Sequence, residues 1–420
     1  MTTRSIAELP DIEALFASNG VDGFSHDFAE LFAQDEPVLR GGARRVAVFR
    51  SADIRAIATH KAAGNMPAEL IVERAYLDGA AAATAGAEDR AHISRFFANQ
   101  VFTSNPPLHA PTRDFFARPL MPKFMPHFVA IAGRIVPELI DAVAGQGEID
   151  FGFQFTDLLT ARFWAEALGM TSGETDRIVR AVRALNPLFL LQRTRDEFVQ
   201  TNAAIGAYVD IVSTAVHRSL RDGSNAMLAA MAPEFDAIDV PGKPESIGLS
   251  IAANLIDGFH TAALAAANAV YHLLKNPPSL DAVRANPPLV ANALAEGLRL
   301  SPPVIVTHRY ALEPFEYQGV AIPAGTAIAM LWAAGNRDPA VFECPNTYQL
   351  MRQQRFNVTF GGGIHICPGR NVARVIVDSV LRGLTAPGIE IELTSDLTWV
   401  PRSVMRQPYR MPVIITRTKG

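Results

Sequence analysis

Phe360-Gly361-Gly362-Gly363-Ile364-His365-Ile366-Cys367-Pro368-Gly369-Arg370 is the stretch on which the reading of this 420-residue chain turns. A glycine-rich turn delivers Cys367 to a fixed point, and Pro368 and Gly369 then open an apolar helix. The free amides and positive dipole end of a helix start favour a thiolate. The plain alternative is a buried cysteine acting as a small apolar core residue. Turn and helix start together suit a thiolate ligand to iron. The only other cysteine, Cys344, sits in no such turn and reads as an ordinary residue. Two cysteines exclude a disulfide framework and a four-cysteine iron–sulfur centre.

Outward from that loop, composition sets bounds. With 49% hydrophobic residues the chain can bury a large core. No Gly/Ser/Pro-rich linker, repeat or low-complexity block divides it, so one domain spanning 1–420 is expected. A net charge of −4 with 19% charged residues argues against a nucleic-acid surface, which needs clustered Lys and Arg. Residues 1–17 carry acids and a proline where a signal peptide has an apolar core. The most apolar long stretch, Ile247–Leu274, is interrupted by Asn254, Asp257 and His260, which a bilayer helix rarely tolerates. These features point to a cytoplasmic protein without a membrane anchor.

Apolar residues three and four apart predict helices over 128–144, 157–168, 174–185, 195–220 and 247–274. Alternation predicts a strand over 45–49 after a Gly41-Gly42 turn, and a helical period follows over 51–60. Pro277-Pro278 and Pro302-Pro303 are expected to stop helices. Short strand-like runs follow at 304–306, 327–331 and 411–415. The sum is a mainly α chain with a smaller β-rich lobe.

The pattern Phe-x-x-Gly-x-x-x-Cys-x-Gly, met at Phe360, Gly363, Cys367 and Gly369, resembles the haem-binding signature of the cytochrome P450 family. Other stretches resemble the family in the same order. Glu296-Gly297-Leu298-Arg299 is similar to its Glu-x-x-Arg, whose members can pair at i and i+3 on a helix. Arg352 stands where the family supplies a third member of that ion network. Asn105-Pro106-Pro107-Leu108-His109-Ala110-Pro111-Thr112-Arg113 is similar to Asp-Pro-Pro-x-His-x-x-x-Arg, with asparagine replacing the acid. Asn336-Arg337-Asp338-Pro339 with Phe342 and Pro345 resembles the family's meander.

The resemblance implies the family's fold, with haem b between a distal, oxygen-side helix and the helix following the cysteine loop. It implies Cys367 as axial ligand of the iron, with Phe360 and Gly369 of the same signature also binding the cofactor. It also implies His109, Arg113, Arg309 and His365 as partners of the haem carboxylates, a task suited to arginine's planar fork. Glu296, Arg299 and Arg352 would hold the cysteine loop against the core. The implied activity is insertion of one oxygen atom from O2 into a substrate, by a monomer fed by a ferredoxin and its reductase. A basic face including Arg113, Arg118, Lys123, Arg370 and Arg374 could dock that partner, ordinary solvated charge being the alternative.

The distal helix departs from its relatives. The family's Ala/Gly-Gly-x-Asp/Glu-Thr reads Asp257-Gly258-Phe259-His260-Thr261 here. Thr261 matches the threonine that steers protons, and Gly258 the glycine that leaves room for oxygen. His260 replaces the acid, while an acid appears at Asp257, one turn before Thr261 and on its face. A rearranged proton relay of His260, Asp257 and Thr261 is one reading. Mutual hydrogen bonding across a kink, an ester link from Asp257 to the haem, and contact with a basic or hydroxylated substrate are the others. The altered pair also keeps open a haem-thiolate enzyme driven by peroxide, or one that couples or isomerises its substrate. A haem sensor or carrier without turnover is a further rival. Apolar residues at 185–192 and 304–307 imply an apolar small-molecule substrate.

Overall fold

A computed structural model of the chain describes residues 3–12, 28–75, 86–190, 194–353, 356–400 and 403–418. Residues 1–2 and 13–17 of the N-terminal segment read above, and 191–192 of the expected substrate wall, lie outside the described residues. Two compact units emerge, each drawn from three stretches of chain: Met1–Met66, Ala295–Cys367 and Trp399–Pro408, then Pro67–Leu294, Pro368–Thr398 and Tyr409–Gly420.

The first unit is built on a mixed sheet. Gly42, at φ +127°, helps turn the chain between antiparallel strands Val38–Arg40 and Arg45–Val48. Arg45–Val48 then pairs in parallel with Ala327–Met330, which pairs antiparallel with Thr307–Ala311, and that in turn with the short edge strand Ala63–Gly64. Both faces of the sheet are covered. Val46, Val48, Ile328 and Met330 pack with Ile54 and Ile57 from the helix Ser51–Ala58. Ala47, Phe49 and Ala329 pack on the other side with Leu31, Leu39 and Ile305. Strands buried on both faces read as apolar runs, as these do.

The expected strand at 304–306 is corrected by the structure. Val304 makes only an isolated bridge to Met405, and the ladder begins at Thr307. The preceding backbone is engaged elsewhere: the Pro303 carbonyl accepts from the Arg406 amide at 2.7 Å, and the Ile305 amide donates to the Val404 carbonyl at 2.9 Å.

The second unit is mostly helical. The predicted helices appear as Met125–Val143, Asp157–Ala167, Ser172–Ala184, Arg195–Arg221 and Ile247–Leu274. Two starts are fixed by reciprocal caps, Thr171 with Glu174 and Thr194 with Glu197. Pro277-Pro278 both follow the end at Leu274 and open a further helix, Pro277–Ala285, where a missing N–H costs nothing. A three-stranded antiparallel sheet places Pro412–Arg417 between Glu148–Asp150 and Ile389–Leu393.

Ile247–Leu274 runs through this unit, packed by Arg195–Arg221, Asp157–Ala167 and Arg370–Leu384. Close approach needs small residues. A Cβ on Gly248 would come within 2.8 Å of the His217 ring and 3.0 Å of the Ser213 backbone. Among the described residues it is the one helix long and apolar enough to cross a bilayer, yet 78% of that apolar window is buried inside the protein. Asn254 is bonded rather than stranded: it accepts from the Val101 amide and donates to Asn99 and Ser250 carbonyls. Before Tyr271, only Asp257, Gly258 and Thr261 break the burial of this helix.

Candidate active site

The cysteine loop belongs to the first unit and is seated by a continuous set of hydrogen bonds. It starts at Glu296, whose carboxylate takes two bonds from Arg299, at 2.8 Å each, and one from Arg352 at 2.9 Å. The Gln349 amide adds a fourth at 3.0 Å. All three charged residues are buried, at 4%, 1% and 5% exposure for Glu296, Arg299 and Arg352. One carboxylate cannot neutralise two guanidinium groups, so the excess donors reach main-chain carbonyls of Asn336, Glu343, Cys344, Pro345 and Thr347. Burial alone would raise the Glu296 pKa, but the two arginines outweigh it and hold the carboxyl below its usual value.

Asn336 carries this order to the loop. Its side chain accepts from the Val358 amide and donates to Thr359 Oγ1, both at 2.8 Å. Gly361 and Gly363 then adopt φ +75° and +67°, and the Cys367 amide closes the turn on the Phe360 carbonyl at 2.8 Å. Gly363 has a second reason to lack a side chain: a Cβ there would overlap the carbonyl oxygen of Ala58. Ala58 ends the helix Ser51–Ala58, whose first amide is capped by Asp338 of the meander at 2.8 Å. Cys367 is thereby left half-buried at the end of a rigid turn. Gly369 caps the following helix Arg370–Leu384 in the second unit at an ordinary φ of −82°.

Arg309 lies on strand Thr307–Ala311 and is only 3% exposed. Burial pulls its pKa down to about 10. It donates to Asn65 Oδ1 at 3.2 Å and more weakly to the His308 carbonyl, and no carboxylate pairs with it among the described residues. A buried guanidinium lacking an acid is costly, so this place suits an anionic ligand group. Asn65, absent from the sequence reading, also reaches the ring of His365, with its amide nitrogen 2.8 Å from Nε2 and 3.2 Å from Nδ1. Nothing but a lone asparagine after a two-residue strand marked it.

In the second unit, His109 and Arg113 lie one turn apart on the helix His109–Ala117, His109 buried and Arg113 half-buried. Of the basic residues proposed for docking, Arg118 is taken up by an ion pair with Glu234, and Lys123 lies 4.8 Å over the Phe124 ring.

The distal residues part company. Asp257, Gly258 and Thr261 form the accessible strip of the long helix. Asp257 is packed round by protein yet keeps accessible surface, and burial raises its carboxyl to about 7. Thr261 donates to the main-chain carbonyl of Asp257 rather than to its carboxylate. His260 points elsewhere. It hydrogen-bonds the Val182 carbonyl, lies edge-on to Phe189 at 4.8 Å between centroids, and is pushed down to about 4 by burial. Its Nε2 finds no partner among the described residues. Hydrogen bonds therefore do not link the three side chains expected to form a relay. Gly258 has a packing role as well. A Cβ there would stand 3.2 Å from the Trp164 indole, whose N–H donates to the Gly258 carbonyl at 3.1 Å.

The cytochrome P450 family profile matches residues 71–383. The chain is 27% identical over 327 residues to the 6-deoxyerythronolide B hydroxylase of Saccharopolyspora erythraea, covering 76% of this chain and 79% of that one. It is 29% identical over 322 residues to nocardicin C N-oxygenase of Nocardia uniformis, covering 75% and 79%. Among solved structures it is similar to P450BioI in complex with a hexadec-9Z-enoic acid-ligated acyl carrier protein, at a TM-score of 0.80 and 20% identity, covering 96% and 100%. CalO2 matches at 0.79 and 22%, covering 94% and 99%. The chain belongs to the cytochrome P450 family, with that family's fold. It is a monooxygenase, an oxidoreductase whose cofactor is protoporphyrin IX haem. A cysteine on a rigid turn and a buried arginine without an acidic partner fit that cofactor's iron and its carboxylates.

Proposed function

We propose that the protein inserts one oxygen atom from O2 into an apolar small molecule, using electrons from a ferredoxin and its reductase, as one cytoplasmic domain spanning 1–420 and working as a monomer. The observation that carries this is the strip Asp257–Gly258–Thr261, the one accessible patch before Tyr271 on a helix otherwise buried. Cys367 would ligate the iron. Arg309 and His365 would hold the carboxylates, and His109 and Arg113 are the further residues that the resemblance supplies for that role. When bound, thiolate-ligated haem supplies the activation of dioxygen.

The chain's own residues then manage protons. Thr261 spends its hydroxyl hydrogen on the Asp257 carbonyl and offers oxygen lone pairs on the accessible side. Asp257, half-ionised near neutrality, can give up and regain a proton at its carboxyl. It takes over the task that the missing acid at 260 performs in the family. His260, neutral and turned to Val182, packs beside Phe189 instead of relaying protons. Exposed Ile364 and Ile366 beside Cys367, at 56% and 37%, supply an apolar patch for a redox partner.

The test is a carbon monoxide difference spectrum of the reduced protein, followed by turnover with ferredoxin and reductase on ligands that shift the haem spin state. A spectrum without the thiolate signature would overturn the ligand assignment. Turnover with hydrogen peroxide alone, and none with ferredoxin, would favour the peroxide-driven alternative that the altered 260 position supports.

A further inference from the structure

We propose that Asn65 is a positioning residue of the cofactor site, aiming the Arg309 guanidinium and fixing the ring of His365 toward the cofactor's carboxylates. The proposal rests on the reading of Arg309 and His365 as carboxylate partners. Asn65 is 1% exposed and follows the edge strand Ala63–Gly64, where Gly64 pairs with Tyr310, the neighbour of Arg309. One amide thus ties the strand carrying Arg309 to the cysteine loop.

Donor–acceptor polarity makes the tie directional. Arginine can only donate, so the group facing Arg309 at 3.2 Å is the Asn65 oxygen. The amide nitrogen is left to face His365, and it too can only donate. It lies 2.8 Å from Nε2 and 3.2 Å from Nδ1, so the ring must turn an unprotonated nitrogen toward it. Fixing such a ring by a neighbouring hydrogen bond is how outer partners commonly tune a cofactor site. Asn65 leaves the positive charge of Arg309 uncancelled, which an aspartate in its place would not.

The experiment uses the holoenzyme with Asn65→Leu and Asn65→Asp, measuring haem loss to apomyoglobin, the midpoint potential of the iron, and thermal stability with and without haem. Asn65→Leu is expected to speed haem loss about tenfold, as one charge-assisted hydrogen bond is removed, and to shift the midpoint potential. Asn65→Asp places a carboxylate against Arg309, so it is expected to speed haem loss more than Asn65→Leu while leaving the haem-free protein as stable as wild type. A purely structural role predicts the reverse for Asn65→Asp: a new ion pair, unchanged haem loss and unchanged potential. That result would overturn the proposal, as would wild-type haem retention in Asn65→Leu. Should the leucine variant fail to fold, the aspartate variant alone decides. A wild-type protein without a thiolate carbonyl spectrum would instead sink the reading of the site beneath it, whatever the variants do.

Discussion

Glu296→Gln removes a charge and one acceptor while keeping shape, so its cost can be worked from the geometry. Oε1 takes three bonds, from Arg299 Nη2, Arg352 Nε and the Gln349 amide, whereas Oε2 takes only Arg299 Nε at 2.8 Å. The glutamine oxygen will occupy the Oε1 position and retain three bonds. Its NH2 then faces the Arg299 Nε–H, donor against donor. Losing one hydrogen bond to a charged group costs about 1.5–3 kcal/mol. Two buried guanidinium groups are also left without a counter-charge, which brings the expected loss to about 3–4 kcal/mol, within the range for breaking buried pairs. Urea unfolding should show a lower midpoint with an unchanged slope. The thiolate signature of the carbonyl complex should weaken too, because Asn336 passes the network's order to Val358 and Thr359. A loss under about 1 kcal/mol with an intact spectrum would refute the reasoning. The wild-type network also has a pH signature. Glu296 is held below its ordinary pKa, so its contribution is complete above that value and is lost as pH falls through the depressed one.

Further outcomes can be checked on the same protein. Asp257→Asn should lower product formed per electron consumed; in the wild type that ratio should fall as pH rises through about 7, and the variant should be flat. The same raised pKa means that ionising Asp257 costs stability as pH climbs from the ordinary carboxylate range to about 7, a slope the variant should lack in thermal melts. Gly363→Ala should abolish thiolate ligation because of the Ala58 carbonyl, whereas Gly361→Ala, with its nearest neighbour at 3.8 Å, should cost only the left-handed backbone term of about 1–2 kcal/mol. Trp164→Phe should destabilise by about 1 kcal/mol through the lost bond to the Gly258 carbonyl, read by urea denaturation.

The turn before Cys367 and the Glu296–Arg299 pair were legible because each depends on a local signature: glycines at positive φ, and an i and i+3 pair. His260 was not. Periodicity places it on a face of the long helix, but only the packing of Ser172–Ala184 and Phe189 decides that this face meets Val182. Asn65 and Trp164 escaped for the same reason, since their partners lie far along the chain. The strand expected at 304–306 failed because its backbone bonds the distant segment 404–406 instead of the five-stranded ladder, a pairing that no local pattern announces.

The parallel pairing of Arg45–Val48 with Ala327–Met330 has a consequence for how the protein is made. During synthesis the early strand leaves the ribosome with its partner still unmade. At roughly 5–20 residues per second, the wait between residues 48 and 327 is some tens of seconds. The helix Arg195–Arg221 packs on segments near it in sequence, whereas Ile247–Leu274 also waits for Arg370–Leu384. Non-local pairing of this kind slows folding and leaves an apolar strand edge unprotected meanwhile. Expression yield should therefore depend on chaperones that shield the first sixty-odd residues until the sheet can close.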